Sequence, residues 1–174
     1  DILLRVDDSV VTLFEEEPYM IRRSRGYAPL PIYVNGDFHG TVLSAGGELK
    51  NTVCLAKDNL FYLSPHIGDV GCVQTETAQH ECAERLQDLL EITPQCGAAD
   101  IHPAYESSQL VKQAQIPVIS VQHHYAHILS CMAENGCSDE VIGIALDGTG
   151  YGTDGTIWGG ELLQVSYRSE ERRV

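Results

Sequence analysis

Two histidines four residues apart, His123 and His127, stand where a short apolar strand is predicted to pass into a helix. Residues at this spacing lie on one face of a helix, so both imidazoles can point at one place. Histidine pairs at this spacing hold divalent metals in proteins. The intervening His124, Tyr125 and Ala126 exclude an H-E-x-x-H motif with its glutamate base. A half-exposed helix start whose histidines only form hydrogen bonds has the same pattern, and the pair alone does not decide between these two hypotheses.

A glycine-rich segment, LDGTGYGTDG, follows an apolar run at Val141–Leu146 that predicts a buried strand. Glycine-rich loops bind phosphates because their backbone N–H groups converge on an anion and no side chains prevent its approach. An aspartate at a strand end, here Asp147, can hold a metal. Glycine-rich hairpins are also ordinary turns, although this segment has more glycines than one turn needs. The residues predicted to form a phosphate-binding loop are Gly148, Thr149, Gly150 and Gly152.

Three arginines, Arg22, Arg23 and Arg25, fall within four positions of a strongly acidic chain. The chain has 11 basic and 25 acidic residues and a formal net charge of -14, so a basic cluster stands out. Guanidinium groups bind phosphate and carboxylate through two parallel hydrogen bonds. The cluster predicts a phosphate-binding site, and it fits equally well a solvated turn that neutralises the preceding glutamates at 15–17.

The composition is that of a globular protein, with 174 residues of which 43% are hydrophobic and 21% charged. This length suffices for one well-buried domain and is too short for two large ones. The acidic charge disfavours non-specific nucleic-acid binding, since phosphate backbones would be repelled. No apolar run approaches the roughly 20 residues that a membrane span needs. The six cysteines form no C-x-x-C pair of the zinc-ribbon kind, and free thiols fit the reducing cytoplasm.

Strands and helices alternate after Thr41, which predicts an α/β fold with buried strands. Strands are predicted in TVLSA, TVCLA, FYLS, GAAD and IPVISVQ, the last of them buried, and helices in ESSQLVKQAQ and at 75–90. The histidine helix should end at Asn135-Gly136, because glycine often follows a helix end. Before Thr41, ILLRVDDSVVTLF predicts extended structure, and the proline- and glycine-rich stretch at 28–40 predicts a linker. The predicted buried face of the helix at 75–90 consists of Ala78, Cys82, Leu86 and Leu89.

Seven motifs, taken in chain order, resemble the HypF carbamoyltransferases of nickel–iron hydrogenase maturation. They are RVDDSVV, IRRSRGYAP, GGELKNT, SPHIGDV, DIHPAYESS, VQHHYAHILSCMAEN and LDGTGYGTDGTIWGGE, and together they cover nearly the whole chain. The resemblance implies that residues 1–33 are the end of a YrdC-like domain and that residues 34–40 are a linker. Residues 41–174 would then be the first half of a TsaD-like domain with the actin-like ATPase fold. Members of this family are much longer, so the chain is expected to be a piece of such a protein.

The resemblance implies a cytoplasmic enzyme that uses carbamoyl phosphate and ATP with Mg to form a carbamoyl adenylate. The carbamoyl group would then pass to the C-terminal cysteine of a HypE-type acceptor protein, where it later becomes a cyanide ligand of iron. No catalytic residue is assigned, because the acceptor thiol belongs to the partner. Cys131 and Cys137 are therefore expected to be small, buried apolar groups.

The resemblance also implies a set of site residues. His123, His127 and Asp147 would bind iron or zinc, and an aspartate beyond the end of this chain would complete the site. Residues 148–153 would lie near nucleotide phosphates, and the arginines at 22, 23 and 25 near bound phosphates or the adenylate. One position departs from the family, since Tyr125 stands where many relatives have histidine. This change leaves both predicted histidine ligands in place.

Two other functions remain open. A TsaD-type enzyme that transfers threonylcarbamoyl to tRNA has the same H-x-x-x-H helix. The segment DGTGYGTDGTIWGGE in place of a Ser-Gly-Gly loop, together with the YrdC-like tail, favours the HypF family over this enzyme. The other alternative is a metal- or nucleotide-binding module without activity. Half of an actin-like fold lacks the second wall of an ATP cleft and one metal ligand, so the isolated chain is expected to be inactive.

Overall fold

A computed structural model of the chain describes residues 5–173, with the side chains of residues 5–168. Its alternating strands and helices confirm the predicted α/β fold class. The strands are β1 (Val10–Phe14), β2 (Glu17–Arg22), β3 (Pro31–Tyr33), β4 (Thr41–Ser44), β5 (Cys54–Lys57), β6 (Leu60–Leu63), β7 (Cys96–Asp100), β8 (Val118–Val121), β9 (Val141–Tyr151), β10 (Ile157–Ser166) and β11 (Ser169–Arg173). The helices are α1 (Val73–Leu90), α2 (Gln109–Gln113), which follows a 3₁₀ turn at Glu106–Ser108, and α3 (His123–Glu134).

Six strands form a mixed sheet in the order β3-β6-β5-β4-β7-β8. Strands β4, β5 and β6 are antiparallel neighbours, whereas β4, β7 and β8 run parallel. Parallel neighbours need crossover connections, and α1 and α2 lie in the segments that lead into β7 and β8. Because the carboxyl ends of parallel strands meet at one edge, the residues after β7 and β8 lie side by side.

Helix α1 packs on this sheet and supplies much of its core. It ends where the sequence predicts, and Ala78, Cys82 and Leu86 are buried as predicted. The prediction for Leu89 is wrong, since its side chain is 68% exposed. Residues four apart share a helix face, so the face that meets the sheet continues from Leu86 to Leu90, which packs against the core.

Two apolar strands that were predicted to be buried are partly exposed. In β8, Val118 is 37% and Ile119 is 55% exposed, because β8 is the edge of the sheet rather than its interior. In β9, residues alternate from Ile142 to Leu146 between exposed isoleucine or leucine and the small, buried Gly143 and Ala145. The buried residues face α3, so the described residues cover only one face of this strand.

Strands β9, β10 and β11 form an antiparallel sheet in the order β11-β10-β9. Helix α3 packs on one face of it, where Ile128 and Met132 of the helix share an apolar cluster with Trp158 of β10. The helix ends as predicted, and Gly136 follows with a φ of 61°, which glycine adopts without strain. The histidine helix is therefore fixed to the sheet that carries Asp147.

The glycine-rich segment predicted as a loop is largely strand. Strand β9 continues through Asp147 to Tyr151. Gly150 and Tyr151 pair with β10, whereas residues 147–149 lie at an irregularity in the register between the two strands. The turn comes afterwards, where the N–H of Gly152 donates to the carbonyl oxygen of Thr156 at 2.8 Å. Asp154 closes the turn by accepting hydrogen bonds from the N–H and hydroxyl of Thr156. Pairing of Gly150 and Tyr151 with β10 outweighs the low strand propensity of glycine at this end of β9.

Strands β1 and β2 form a separate hairpin, whereas β3 pairs with β6, so the six-stranded sheet already begins at Pro31. The stretch at 28–40 is thus not only a linker. In the predicted extended segment ILLRVDDSVVTLF, strand structure is confined to Val10–Phe14, and residues 2–4 lie outside the described residues. The guanidinium of Arg5 donates to the carbonyl oxygen of Ile67 at 3.0 Å. The division into parts at 1–33, 34–40 and 41–174 stays a prediction.

The prediction that Cys131 and Cys137 are buried is wrong. Cys131 is exposed and Cys137 is half-buried. Both line a groove of about 370 Å³ between α3 and the first half of β9, which leaves their thiols accessible from one side.

None of the helices within residues 5–173 combines the length and the apolar character that crossing a membrane requires.

We predict that the cysteines react with iodoacetamide in an order set by this fold. Hydrogen bonds from the side chain and N–H of Thr75 lower the pKa of the exposed Cys72, which increases its thiolate fraction near neutral pH. Burial raises the pKa of Cys54 to about 12 and also raises the pKa of Cys82. Mass spectrometry of the folded protein should find Cys72 modified first, and Cys54 and Cys82 only after unfolding. Equal rates at Cys54 and Cys72 would contradict the fold.

Candidate metal centre

The ends of two parallel strands position the first half of the site. Asp100, the last residue of β7, is paired with Val121, the last residue of β8. Helix α3 begins only two residues after Val121, with Gln122 as its N-cap. The side-chain oxygen of Gln122 accepts a hydrogen bond from the N–H of Tyr125 at 2.9 Å, which fixes the start of the helix. His123 therefore emerges directly above Asp100.

Strand β9 brings the third predicted ligand to the histidine helix. The Nε2 atoms of His123 and His127 lie 3.2 Å apart. One carboxylate oxygen of Asp147, Oδ2, lies 3.2 Å from the first and 2.9 Å from the second. The three residues predicted to bind a metal thus present three donor atoms to one point, although Asp147 lies 20 positions after His127 and 24 after His123 in the sequence.

The spacing of these donor atoms suits one metal ion. Nitrogen and oxygen ligands about 2.0–2.2 Å from a common ion stand about 3 Å apart, which agrees with separations of 2.9 to 3.2 Å. Two imidazoles and one carboxylate form a donor set that iron and zinc both accept. The side chains of His123 and Asp147 are 24% and 29% exposed and that of His127 is 56% exposed, so a further ligand can approach from the solvent side.

A fourth residue, Asp100, supports the site from below. Its Oδ2 accepts a hydrogen bond from Nδ1 of His123 at 2.8 Å, and its side chain is 7% exposed. This hydrogen bond is the largest cause that raises the pKa of His123, with the nearby Asp147 adding to it and partial burial opposing it. Sequence reasoning missed Asp100 as a site residue. The available signal was its place at the end of the predicted strand GAAD, the strand that precedes the one leading into the histidine helix.

His124, which had no predicted role, holds α3 against β9. Its side chain is fully buried, and its Nδ1 lies 3.0 Å from the side-chain nitrogen of Gln122. That nitrogen also donates to the carbonyl oxygen of Tyr151 at 3.1 Å. Gly150 lies flush against the ring, because a Cβ at this position would stand 2.7 Å from Nδ1 of His124 and 3.1 Å from Cβ of His123. Close packing at this point keeps Asp147 within reach of the histidines.

The four residues predicted to bind phosphate fall into two groups. Gly150 and Gly152 are occupied in packing, the first against His124 and the second against the ring of Trp158. Gly148 and Thr149 are exposed, and a Cβ at Gly148 would meet no atom within 4 Å. Their position directly after Asp147 leaves them free to contact a ligand beside the three donor atoms, and their phosphate-binding role stays a prediction.

The three predicted arginines contact residues of their own part of the chain. Nη1 of Arg22 lies 3.3 Å from Oδ2 of Asp7, and Nη1 of Arg25 lies 3.4 Å from Oδ1 of Asp8. Aspartates, rather than the glutamates at 15–17, therefore neutralise these two arginines. Arg23 donates to the carbonyl oxygens of residues 27 and 30. Among the described residues, no hydrogen bond or ion pair joins the arginines to the histidine cluster. Their phosphate-binding role stays a prediction as well.

We predict that Gly150→Ala separates β9 from α3. The added methyl group would overlap the ring of His124, and overpacking of this kind costs about 1–3 kcal/mol. Urea unfolding should show this loss in the free energy of unfolding. Gly148→Ala is the matched control, since it adds the same methyl group to the same strand in open space and should change the stability little. Equal effects of the two substitutions would contradict the close packing.

Comparisons with known proteins agree with this architecture. The family described as the HypF Kae1-like domain matches residues 37–134, and the family described as the second subdomain of the carbamoyltransferase Kae1-like domain matches residues 143–174. Carbamoyltransferase HypF of Synechocystis is 47% identical over 172 residues, and that of Rhizobium leguminosarum is 37% identical over 172 residues. These alignments cover 98% and 99% of this chain and 22% of each relative.

Solved structures give the same result. A crystal structure of full-length HypF in the phosphate- and nucleotide-bound form matches with a TM-score of 0.92 and 45% identity, over 99% of this chain and 27% of that one. The crystal structure of HypF from T. kodakarensis matches with a TM-score of 0.86 and 42% identity, over 97% of this chain and 22% of that one. The chain thus spans about a fifth of the length of the curated relatives it matches. It belongs to the HypF family, and residues 37–134 and 143–174 match the Kae1-like, actin-like ATPase-type region of that family.

Proposed function

We propose that this chain supplies the metal-binding part of a HypF-type carbamoyltransferase. The observation that carries the proposal is the convergence of His123, His127 and Asp147 on one point, within a chain whose relatives are named carbamoyltransferases. The bound metal would be iron or zinc. ATP with Mg would be the second cofactor, which the nucleotide- and phosphate-bound state of a similar HypF structure supports.

The proposed reaction has two stages. In the first stage, water would cleave carbamoyl phosphate to carbamate and phosphate. A carbamate oxygen would then attack the α-phosphorus of ATP, forming carbamoyl adenylate as the bond to pyrophosphate breaks and pyrophosphate leaves. The C-terminal cysteine thiol of a HypE-type acceptor protein then attacks the carbamoyl carbon. A C–S bond forms, the C–O bond to the adenylate phosphate breaks, AMP leaves and the thiol proton goes to solvent. The six cysteines of this chain are free thiols, which suits the cytoplasm as the site of the reaction.

Each residue of the cluster has a separate task in this proposal. A bound metal would act as a Lewis acid that polarises a carbonyl or phosphoryl oxygen of the substrate. His123 and His127 would hold it from one helix face, and Asp147 would hold it from β9. Gly148 and Thr149, exposed beside these donors, would contact the nucleotide phosphates. The three arginines at 22, 23 and 25 would lie near bound phosphate or the adenylate in the YrdC-like domain, of which this chain would hold only the end.

The comparisons support the HypF reaction over the tRNA-modifying one, because the matched relatives are named HypF. A module that binds metal without catalysing transfer remains compatible with the isolated chain. The chain spans 22% of the Synechocystis relative, and a complete ATP cleft would need parts that lie elsewhere in such a protein.

We predict that the chain purified without oxygen holds close to one equivalent of iron or zinc, measured by inductively coupled plasma mass spectrometry. His123→Ala combined with His127→Ala should remove the metal. The control is His39→Ala combined with His80→Ala, which removes the same number of imidazoles outside the cluster and should retain it. Metal that survives loss of His123 and His127 would contradict the site, and so would a parent chain that stays empty in the presence of added metal.

We also predict that this chain can replace the matching segment of the Synechocystis relative. The chimera should transfer labelled carbamoyl from carbamoyl phosphate to the C-terminal cysteine of a HypE-type acceptor, in an ATP-dependent way. In the chimera, His123→Ala with His127→Ala should lower the rate more than about 100-fold, because several kcal/mol of charge stabilisation would be lost. The His39→Ala, His80→Ala chimera should stay active. An active chimera without the histidine pair would exclude the proposed role of the metal.

A further inference from the structure

We infer that Asp100 is a positioning residue that presents Nε2 of His123 to the metal. The inference rests on the proposed function, in which His123, His127 and Asp147 bind that metal. It concerns how the protein prepares one of these ligands before any metal arrives. A neutral imidazole carries its proton on either nitrogen, and only the nitrogen without the proton can bind a metal.

The backbone holds Asp100 in place. As the last residue of β7 it is paired with Val121 of β8, and the N–H of Ile101 donates to the carbonyl oxygen of Val121 at 3.1 Å. These contacts fix the distance between the end of β7 and the start of α3. The carboxylate is 7% exposed, so water competes little for its hydrogen bonds.

Both carboxylate oxygens of Asp100 accept hydrogen bonds from different donors. Oδ1 accepts from the backbone N–H of His102 at 2.8 Å, and Oδ2 accepts from Nδ1 of His123 at 2.8 Å. The backbone N–H is a fixed donor, and it orients the carboxylate. Because Oδ2 can only accept, Nδ1 of His123 must carry the proton. In the neutral ring the lone pair then lies on Nε2, the atom that faces His127 and, at 3.2 Å, the carboxylate oxygen of Asp147. A bound metal ion would lie between this lone pair and that carboxylate.

This arrangement explains why a carboxylate, and not an amide of the same shape, is needed at this position. In Asp100→Asn the amide oxygen would pair with the N–H of His102, which leaves the NH₂ group facing Nδ1 of His123. Two donors cannot face each other, so Nδ1 would give up its proton and Nε2 would hold it. The side chain would keep its position, and the nitrogen that faces the metal would lose its lone pair.

The test compares Zn²⁺ affinity, measured by competition with a chelator, between the parent chain and Asp100→Asn. We expect the affinity to fall about 10- to 100-fold, as for other residues that orient a metal-bound histidine. Asp58→Asn is the matched control. Asp58 also accepts a backbone hydrogen bond, from the N–H of Gly40 at 2.9 Å. It lies in the β5–β6 turn, at the amino-terminal end of β4 and away from the carboxyl ends of β7 and β8. The Asp58→Asn variant should bind Zn²⁺ with the affinity of the parent chain.

A second variant separates positioning from a loss of structure. Asp100→Ala removes more atoms than Asp100→Asn, yet it leaves the ring of His123 free to place its proton on Nδ1 when metal binds. We therefore expect Asp100→Asn to weaken Zn²⁺ binding at least as much as Asp100→Ala. A purely structural role predicts the reverse order, with the larger truncation causing the larger loss, and that order would overturn the inference.

The protonated nitrogen is observed directly in long-range ¹H–¹⁵N NMR spectra of the metal-free protein. At a pH where the ring is neutral, His123 should carry its proton on Nδ1 in the parent and on Nε2 in Asp100→Asn. The same proton position in both proteins would overturn the inference even if Zn²⁺ affinity falls. A parent chain that shows the expected proton position but binds no Zn²⁺ would instead refute the proposed metal site and leave the role of Asp100 in orienting His123 intact.

Discussion

The close contact between strand β9 and the start of helix α3 is the constraint on which the site depends. His124 fills the space between them, and only a residue without a side chain fits opposite its ring at position 150. This contact sets the register in which β9 passes the helix. Asp147, three residues earlier on the strand, then reaches both imidazoles of the H-x-x-x-H pair. A larger residue at position 150 would therefore affect the ligand geometry, because it would press on the ring of His124 and on Cβ of His123.

A second constraint comes from the parallel strands β7 and β8. Their ends lie side by side, which brings a nearly buried carboxylate under the first imidazole. The cluster then contains two carboxylates and two imidazoles, a charge pattern that favours a bound cation. One carboxylate faces the proposed metal position directly. The other, Asp100, acts on it only through His123, and this separation of tasks is common where histidine binds a metal.

The three donors come from both of the matched family regions. The histidines lie within residues 37–134 and the aspartate within residues 143–174, so the site is formed where the two regions pack together. The apolar cluster of α3 with β10, which includes Trp158, holds them in contact. The glycines around Asp147 therefore have two roles. Gly150 and Gly152 allow close packing, whereas Gly148 remains open to a ligand.

The sequence by itself determined the α/β class, the strand and helix order from Thr41 to Leu146, the end of the histidine helix and the shared face of His123 and His127. These features follow from local periodicity and from glycine at a helix end. The motifs also indicated Asp147. Tertiary structure alone decided that β8 is an exposed edge, that β9 runs through its glycines as a strand, and that Asp100 meets His123. Each of these features depends on which distant segment packs against the strand, and local patterns of apolar and small residues do not specify that segment.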